Sequence, residues 1–414
     1  MSPRAAGART ARVVLATRIF TPESAAAAFR LQSLVRALAE RAGRVEVLTS
    51  RASADPAVDI VVALGDDDTS RVRRWPVLRD DTGYVRGYLP YLSFDVPLAL
   101  RLLMVRSPDV VVVEPPPTTG SVVRVMTAVR SALSRRAVPY VYYAADVWSD
   151  ASESTGAPDV VVHLVRMMEQ FALRGAAEVI AVSDGVADRV KALGARSVHV
   201  VPNGIDTDIF CVDDPAPPHA RSARERYRIP DAPFLLYAGT ASEWQGAEIF
   251  AQAMPEVIEQ VPSARLVFLG QGSSWPQLQR LAGELPTGVV ELRPLVGPAE
   301  AAAWHRAAAG AVVSVKPGVG YDFAYPTKVL AALACGTPVV YVGPGPAASD
   351  VRVNDLGSAV PYDVGRVASA MVAALVTHVD PDEQLRRARW VHEHRSIEAT
   401  GRAAADVVLG VTVL

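Results

Sequence analysis

Lysine is scarce in this chain. Of 42 Lys and Arg residues only Lys191, Lys316 and Lys328 are lysines, and two of the three flank one Gly/Pro-rich loop running from Lys316 to Tyr325. Gly318 and Gly320 allow that loop's backbone to approach a ligand closely. The stretch after it, Pro326 to Cys335, reads as a helix with Pro326 in its first turn and Gly336 as its stop. Unpaired N–H groups, the positive end of a helix dipole and the Lys328 ammonium would together suit a phosphate. A solvated surface lysine is the competing reading of Lys328. Carboxylates form the second set. Glu114 and Asp146 each follow an apolar run. At a strand end, Asp146 can hydrogen-bond a sugar hydroxyl or accept a proton; it can equally cap a helix or stand in solvent, as can Asp150 and Glu153. His163 lies on a helical stretch, as a proton acceptor or as an ordinary packed or surface histidine. Glu23 and Ser24 precede a helix of small residues, where they could touch a substrate or simply cap the helix.

The elements that must position these groups alternate. Short β-branched runs at Arg12–Ala16, Val45–Leu48, Ile60–Leu64, Val110–Val113, Tyr140–Tyr143, Val179–Val182 and Val198–Val201 read as strands. Helical stretches lie between several of them, notably Ala25–Glu40, Ser121–Arg135, Val160–Arg174 and Gly185–Leu193. EPPPTTG, from Glu114, reads as a stiff turn, and Arg166 with Glu169 as an i,i+3 pair. From Phe234 the theme restarts, with strands at Phe234–Ala238, Leu266–Leu269, Val289–Leu292, Val312–Val315 and Val339–Val342 and a shorter run around Ala359. Strands alternating with helices predict α/β folding around parallel, doubly wound sheets. Residues 203–232 are rich in proline and charge and read as a linker. It separates a domain at 11–202 from one at 233–395, and the tail from 381 reads as helical, with residues 396–414 positioned to cross back onto the first domain.

Composition narrows the function. A chain of 414 residues has room for two domains, and 50% hydrophobic residues supply a sizeable core. A net charge of −2 argues against a general nucleic-acid binder. Two cysteines, Cys211 and Cys335, imply no disulfide framework and fit a reducing cytoplasm. No Cys/His set has zinc spacing, no Gly-Lys-Ser/Thr phosphate loop is present, and GQGSSW from Gly270 does not complete a dinucleotide fingerprint. No apolar run is long enough to span a bilayer, so the expectation is a cytoplasmic protein, soluble or attached peripherally to the inner face of the membrane. Residues 71–106 mix arginines with Trp75, Tyr84, Tyr88, Tyr91 and Phe94. Such a mixture suits contact with anionic lipid, or a helical excursion packed on the sheet with its arginines solvated.

VPNGIDTDIF, YAGT, LVFLGQGSSWPQL and YPTKVLAALACGTPVV occur in that order and spacing. The pattern resembles the bacterial retaining family-4 glycosyltransferases of the GT-B fold, most strongly from residue 178 onward. The resemblance implies two Rossmann-like domains facing across a cleft, the C-terminal one for a nucleoside-diphosphate sugar such as a UDP-sugar and the N-terminal one for the acceptor. It implies transfer with retention by front-face attack, without a protein nucleophile, metal ion or cofactor. Carried over by position, Lys328 grips the diphosphate beside Thr327, with Lys316 in support. Gly239 with Thr240, and Gly270 with Gly272, form two glycine turns at the donor, and Leu295 lies in the turn that reads the nucleobase. Asn203 and Gly204 match a hinge motif. On the acceptor side stand Asp146, Glu23, Ser24 and His163. The chain departs from the pattern at Phe323 and Ala331, where many relatives carry a Glu pair, and at Thr240 and Gln245, where an Arg and a Lys are usual; a surface-polysaccharide subgroup shares the Gln-Gly. The implied function is sugar transfer to an acceptor hydroxyl in glycan, glycolipid or polysaccharide biosynthesis, the acceptor lipid-linked or a small molecule. The departures keep a non-catalytic partner module open, and the fold keeps a nucleotide-sugar epimerase open.

Overall fold

The computed structural model describes residues 11–23, 26–51, 70–79, 85, 87–154, 157–213, 222–377 and 380–412. The chain divides into two compact units, residues 1–203 with 397–414, and residues 204–396. Each is built around its own parallel sheet.

In the first unit the order is β1 (Arg12–Ala16), α1 (Ala26–Arg41), β2 (Arg44–Ser50), β3 (Ser70–Trp75), α2 (Tyr88–Met104), β4 (Val110–Val113), α3 (Pro117–Ser134), β5 (Tyr140–Ala144), α4 (Trp148–Ser154), α5 (Asp159–Gly175), β6 (Glu178–Ala181), α6 (Asp184–Ala192) and β7 (Val198–Val200). The strands lie as β3-β2-β1-β4-β5-β6-β7, all parallel. β4 is four fully buried valines, as a strand covered on both faces requires. On α1 the apolar positions Ala28, Leu31, Leu34, Val35 and Leu38 recur at helical spacing and are buried.

In the second unit the order is α7 (Ala223–Tyr227), β8 (Phe234–Thr240), α8 (Glu248–Gln260), β9 (Arg265–Gln271), α9 (Trp275–Gly283), β10 (Val290–Arg293), α10 (Pro298–Ala307), β11 (Gly310–Ser314), α11 (Thr327–Ala334), β12 (Val339–Val342), α12 (Pro346–Val353), β13 (Gly357–Val360), α13 (Val364–Val376) and α14 (Pro381–Arg395). The strands lie as β10-β9-β8-β11-β12-β13, again all parallel. α15 (Ile397–Gly410) belongs to the first unit and packs on α1. Gly401 permits that approach: a Cβ there would fall 2.2 Å from Ser33 Oγ, which donates to the Ile397 carbonyl at 2.6 Å.

Strand order reverses between β1 and β4 in one sheet and between β8 and β11 in the other. Ligands of such sheets bind beyond the strand C-termini at these reversals, which defines where to look.

Several expectations need correction. Pro326 is the N-cap of α11 (φ −65°, ψ 120°), one residue before the first helical turn. α3 begins at Pro117, inside the stretch read as a stiff turn, because proline is tolerated where the first N–H is unpaired anyway. The helical tail is two helices, and the segment read as linker carries the short helix α7. β3 and α4 were not anticipated: β3 is an arginine-rich edge strand, and α4 is seven residues long. Ile60–Leu64 lies outside the described residues. Within 71–106 the aromatics do not form an outward row. Phe94 is buried, and Tyr91 packs edge-on to Trp148 with the Arg18 guanidinium 4.1 Å from its ring centre. Tyr84 and the Tyr88 side chain lie outside the described residues.

Candidate active site

In the first unit the reversal point is occupied by a buried ion pair. Arg30 of α1 donates to Glu114, the residue after β4, and at 3.0 Å to the side chain of Asn203. The other Glu114 oxygen accepts from Thr17 Oγ1 at 3.1 Å. The Arg30 guanidinium lies 5.1 Å from the Tyr143 ring centre. Burial is the largest single influence on Arg30 and opposes its charge, but the charge and hydrogen bond of Glu114 together with Tyr143 and Asp146 outweigh it and raise the pKa, so the guanidinium stays protonated. Glu114 is pushed up by burial, with Arg30 pulling the other way.

Asp146 stands two residues past β5 with its side chain exposed. Among the described residues it has no hydrogen-bond or ion-pair partner. Surrounding protein atoms still crowd the carboxyl, and this desolvation raises its pKa from the ordinary aspartate value, the Arg30 charge opposing the rise. Such a carboxylate can accept a proton or a hydroxyl hydrogen bond. Arg30 was not singled out from the sequence. A signal existed: Arg30, Leu34 and Leu38 share one helix face, and a charge on an apolar face needs a buried partner.

The remaining first-unit candidates separate. Glu23 is paired with Arg79 at 2.8 Å, and Ser24 lies outside the described residues. His163 is exposed on α5. Asp150 and Glu153 are held by Arg189 and Arg166 at 2.5 and 2.9 Å. Glu169 does not pair with Arg166. It caps α4, accepting from the N–H of Trp148 and of Ser149 at 2.8 and 3.0 Å and from Ser149 Oγ at 2.7 Å; the seven-residue helix needs that cap because four of its N–H groups have no partner within it.

In the second unit Gly239 and Lys328 come together at the reversal point. Gly239, the penultimate residue of β8, has φ 109°, and a Cβ on it would lie 3.3 Å from Lys328 Cε. Lys328, in the first turn of α11, is half-buried. Its Nζ sits 5.2 Å from the Tyr237 ring centre, and no acid pairs with it among the described residues. Burial lowers its pKa from 10.5 to about 7. An unpaired, partly desolvated ammonium beside the first N–H groups of a helix has the chemistry to receive an anion. A freely solvated surface lysine is thereby set aside.

The other glycines serve the sheet as well. A Cβ on Gly270 would fall 2.0 Å from the Gly239 carbonyl oxygen, and one on Gly272 would fall 2.2 Å from that of Ala241. Thr240 is exposed, Thr327 is half-buried in the first turn of α11, and Leu295 is exposed in the turn after β10. Lys316 is engaged by Glu248 at 3.6 Å. The second oxygen of Glu248 is buried without a hydrogen-bond partner among the described residues. Gln245 turns inward and its Oε1 accepts from Ser242 N–H at 2.9 Å and from the Tyr237 hydroxyl at 3.3 Å. It therefore builds the turn rather than offering a group outward. Ala331 is buried and brings no polar group. Among the described residues no three His, Cys, Asp or Glu side chains are grouped to hold a metal ion.

Comparison with known proteins agrees with this layout. Residues 27–209 match Glycosyltransferase Family 4, and residues 232–377 match Glycosyl transferases group 1. The chain is 35% identical over 190 residues to the D-inositol 3-phosphate glycosyltransferase of Xylanimonas cellulosilytica, covering 41% of this chain and 43% of that protein. It is 33% identical over 178 residues to the GDP-mannose-dependent alpha-(1-6)-phosphatidylinositol monomannoside mannosyltransferase of Mycolicibacterium smegmatis, covering 41% and 45%. The matched region thus spans less than half the length of these curated relatives. Anabaena HepE in complex with UDP-glucose superposes with a TM-score of 0.67 at 16% identity, over 97% of this chain and 99% of that one. The fold is that of two Rossmann-like α/β domains of GT-B type. The chain belongs to the family-4 GT-B glycosyltransferases.

Proposed function

We propose that this chain transfers a sugar, with retention, from a nucleoside-diphosphate sugar to an acceptor hydroxyl in glycan or glycolipid biosynthesis. The observation that carries the reading is Lys328. Its ammonium lies against Gly239 with no acid partner among the described residues, in the first turn of α11, and burial holds it near the point of losing its charge. A diphosphate supplies the missing counter-charge. As the glycosyl bond breaks, negative charge grows on the departing diphosphate, and Lys328 with the α11 N–H groups stabilises it without a metal ion. The side chain of Thr327 and the backbone beyond β8 and β9 complete the donor position. Asp146, which carries no competing ion pair among the described residues, orients the acceptor hydroxyl and takes its proton.

Family membership and relatives whose names include a GDP-mannose-dependent enzyme acting on a phosphatidylinositol mannoside support a nucleotide-sugar donor and a lipid-linked acceptor. Inward-turned Gln245 and buried Ala331 favour the second reading, a catalytically silent member, because they leave the diphosphate and ribose fewer side-chain partners. Calorimetric titration with UDP, GDP, ADP and dTDP decides between them. Binding of one nucleotide, lost in Lys328→Met, is the expected result. Binding of none would overturn the transferase reading in favour of the silent one.

A further inference from the structure

α2, α3 and α5 cover one face of the first sheet side by side. α3 touches both neighbours, and arginines tie the layer together: Arg130 of α3 donates to the Leu102 and Leu103 carbonyls of α2, and Arg124 of α3 donates to the Phe171 carbonyl of α5. Right-handed crossovers place these three connections on the same face, since each carries the chain in the same direction across the sheet.

The outward side of this layer is apolar. Val96 and Leu100 are one turn apart on α2, Val129 and Leu133 on α3, and Leu164 and Phe171 two turns apart on α5. Their exposures run from 37% to 77%. One such residue on a surface is ordinary; aligned rows on three neighbouring helices make a patch beyond what soluble monomers commonly expose. Helices of 17 and 18 residues are about 25 Å long, and three of them abreast span roughly 20 Å between outer axes. The result is a broad face rather than a groove.

Its charge is one-sided. The three helices carry Arg101, Arg124, Arg130, Arg166 and Arg174; Glu153 of α4 pairs with Arg166 at 2.9 Å, and of the helices' own acids Asp95 and Glu169 are buried and only Asp159 is exposed, which leaves the other four arginines against one exposed acid. Backbone carbonyls hold Arg124 and Arg130 but do not neutralise them. The whole chain is at −2, so this positive charge is local. An apolar layer with arginine at its helix junctions complements a bilayer surface bearing anionic headgroups: aliphatic side chains enter the headgroup–acyl boundary while guanidinium groups remain at phosphate level.

We propose that the α2–α3–α5 face docks this protein on anionic membrane. The inference stands apart from sugar transfer, since vesicle binding is read without donor or acceptor. The test is co-sedimentation of the full chain with phosphatidylglycerol–phosphatidylcholine vesicles and with pure phosphatidylcholine vesicles, beside the triple variant Val96→Gln, Leu133→Gln, Leu164→Gln. These positions are exposed, and glutamine tolerates helix well, so folding is preserved. The expected result is binding to the anionic vesicles only, weakened by added salt, and reduced at least about tenfold in the triple variant through loss of buried apolar area. No binding to anionic vesicles, or equal binding by the variant, overturns the proposal. A wild-type dimer that becomes monomeric in the variant, with no vesicle binding, would assign the face to a second copy instead.

Discussion

Replacing Lys328 by methionine should make the apo protein more stable and the enzyme nearly inactive. Methionine keeps the unbranched stem and is a good helix former, so it preserves α11 and removes the charge. Burial lowers the Lys328 pKa from 10.5 to about 7. Taken at face value, that drop opposes the charged form by about 4–5 kcal/mol. The side chain is only half-buried and its ammonium keeps solvent contact, so roughly 1–2 kcal/mol survives screening. Unfolded, the lysine holds its proton up to about pH 10.5; folded, it releases it near 7. The unfolded chain binds more protons across that interval, so stability rises with pH through it. The penalty is complete below about pH 7 and gone above about 10.5. Lys328→Met lacks it, so its advantage is greatest at neutral and acidic pH and fades toward pH 10.5. For a unit of this size it amounts to a gain of about 2–8 °C in melting temperature. Scanning calorimetry of both proteins at neutral pH and again near about pH 10 measures the difference and its decay. Turnover, followed as release of free nucleotide in the presence of acceptor, should fall at least about 100-fold. A variant that is less stable at neutral pH, or whose advantage does not change with pH, refutes the electrostatic reasoning. Near-wild-type turnover refutes the role in transfer.

Two further outcomes follow from the first unit. Glu114→Ala should cost about 3–5 kcal/mol in chemical denaturation, because it strands the Arg30 guanidinium without its buried partner. Asp146→Asn should lower turnover at least about 100-fold, the scale of a lost general base, with the melting temperature at neutral pH not lowered, because the carboxylate makes no hydrogen bond among the described residues and desolvation opposes its charge. In the wild type, activity should rise with pH through a midpoint above the ordinary aspartate value of 3.8, since the raised pKa delays formation of the base; that limb should be absent from the residual activity of the variant.

The architecture was legible because its signals are local. Four β-branched valines in a row at 110–113, bounded by prolines, read as a strand covered on both faces, and the apolar spacing along Ala28–Leu38 gives α1 directly. Lys328 was legible for a compositional reason, a rare lysine set between Gly/Pro punctuation and a helix. Its surroundings were not legible. That Gly239 lies under its stem, that no acid among the described residues pairs with it and that burial lowers its pKa to about 7 are consequences of strands β8 and β11 being neighbours.

The same division holds elsewhere. The sequence determined the types and order of the elements and which residues could carry charge or bind phosphate, because propensity, capping and periodicity act over a few residues. Tertiary structure alone decided the partners. It brought Arg30 to Glu114 across 84 positions, used Glu169 to cap α4, spent Gln245 on its own turn and left Asp146 without an ion-pair partner among the described residues. It also set the aliphatic rows of α2, α3 and α5 side by side, each an unremarkable stripe in its own helix. Partnership of this kind depends on where a sheet reverses its strand order, and that reversal is fixed only when the two halves of each sheet pair.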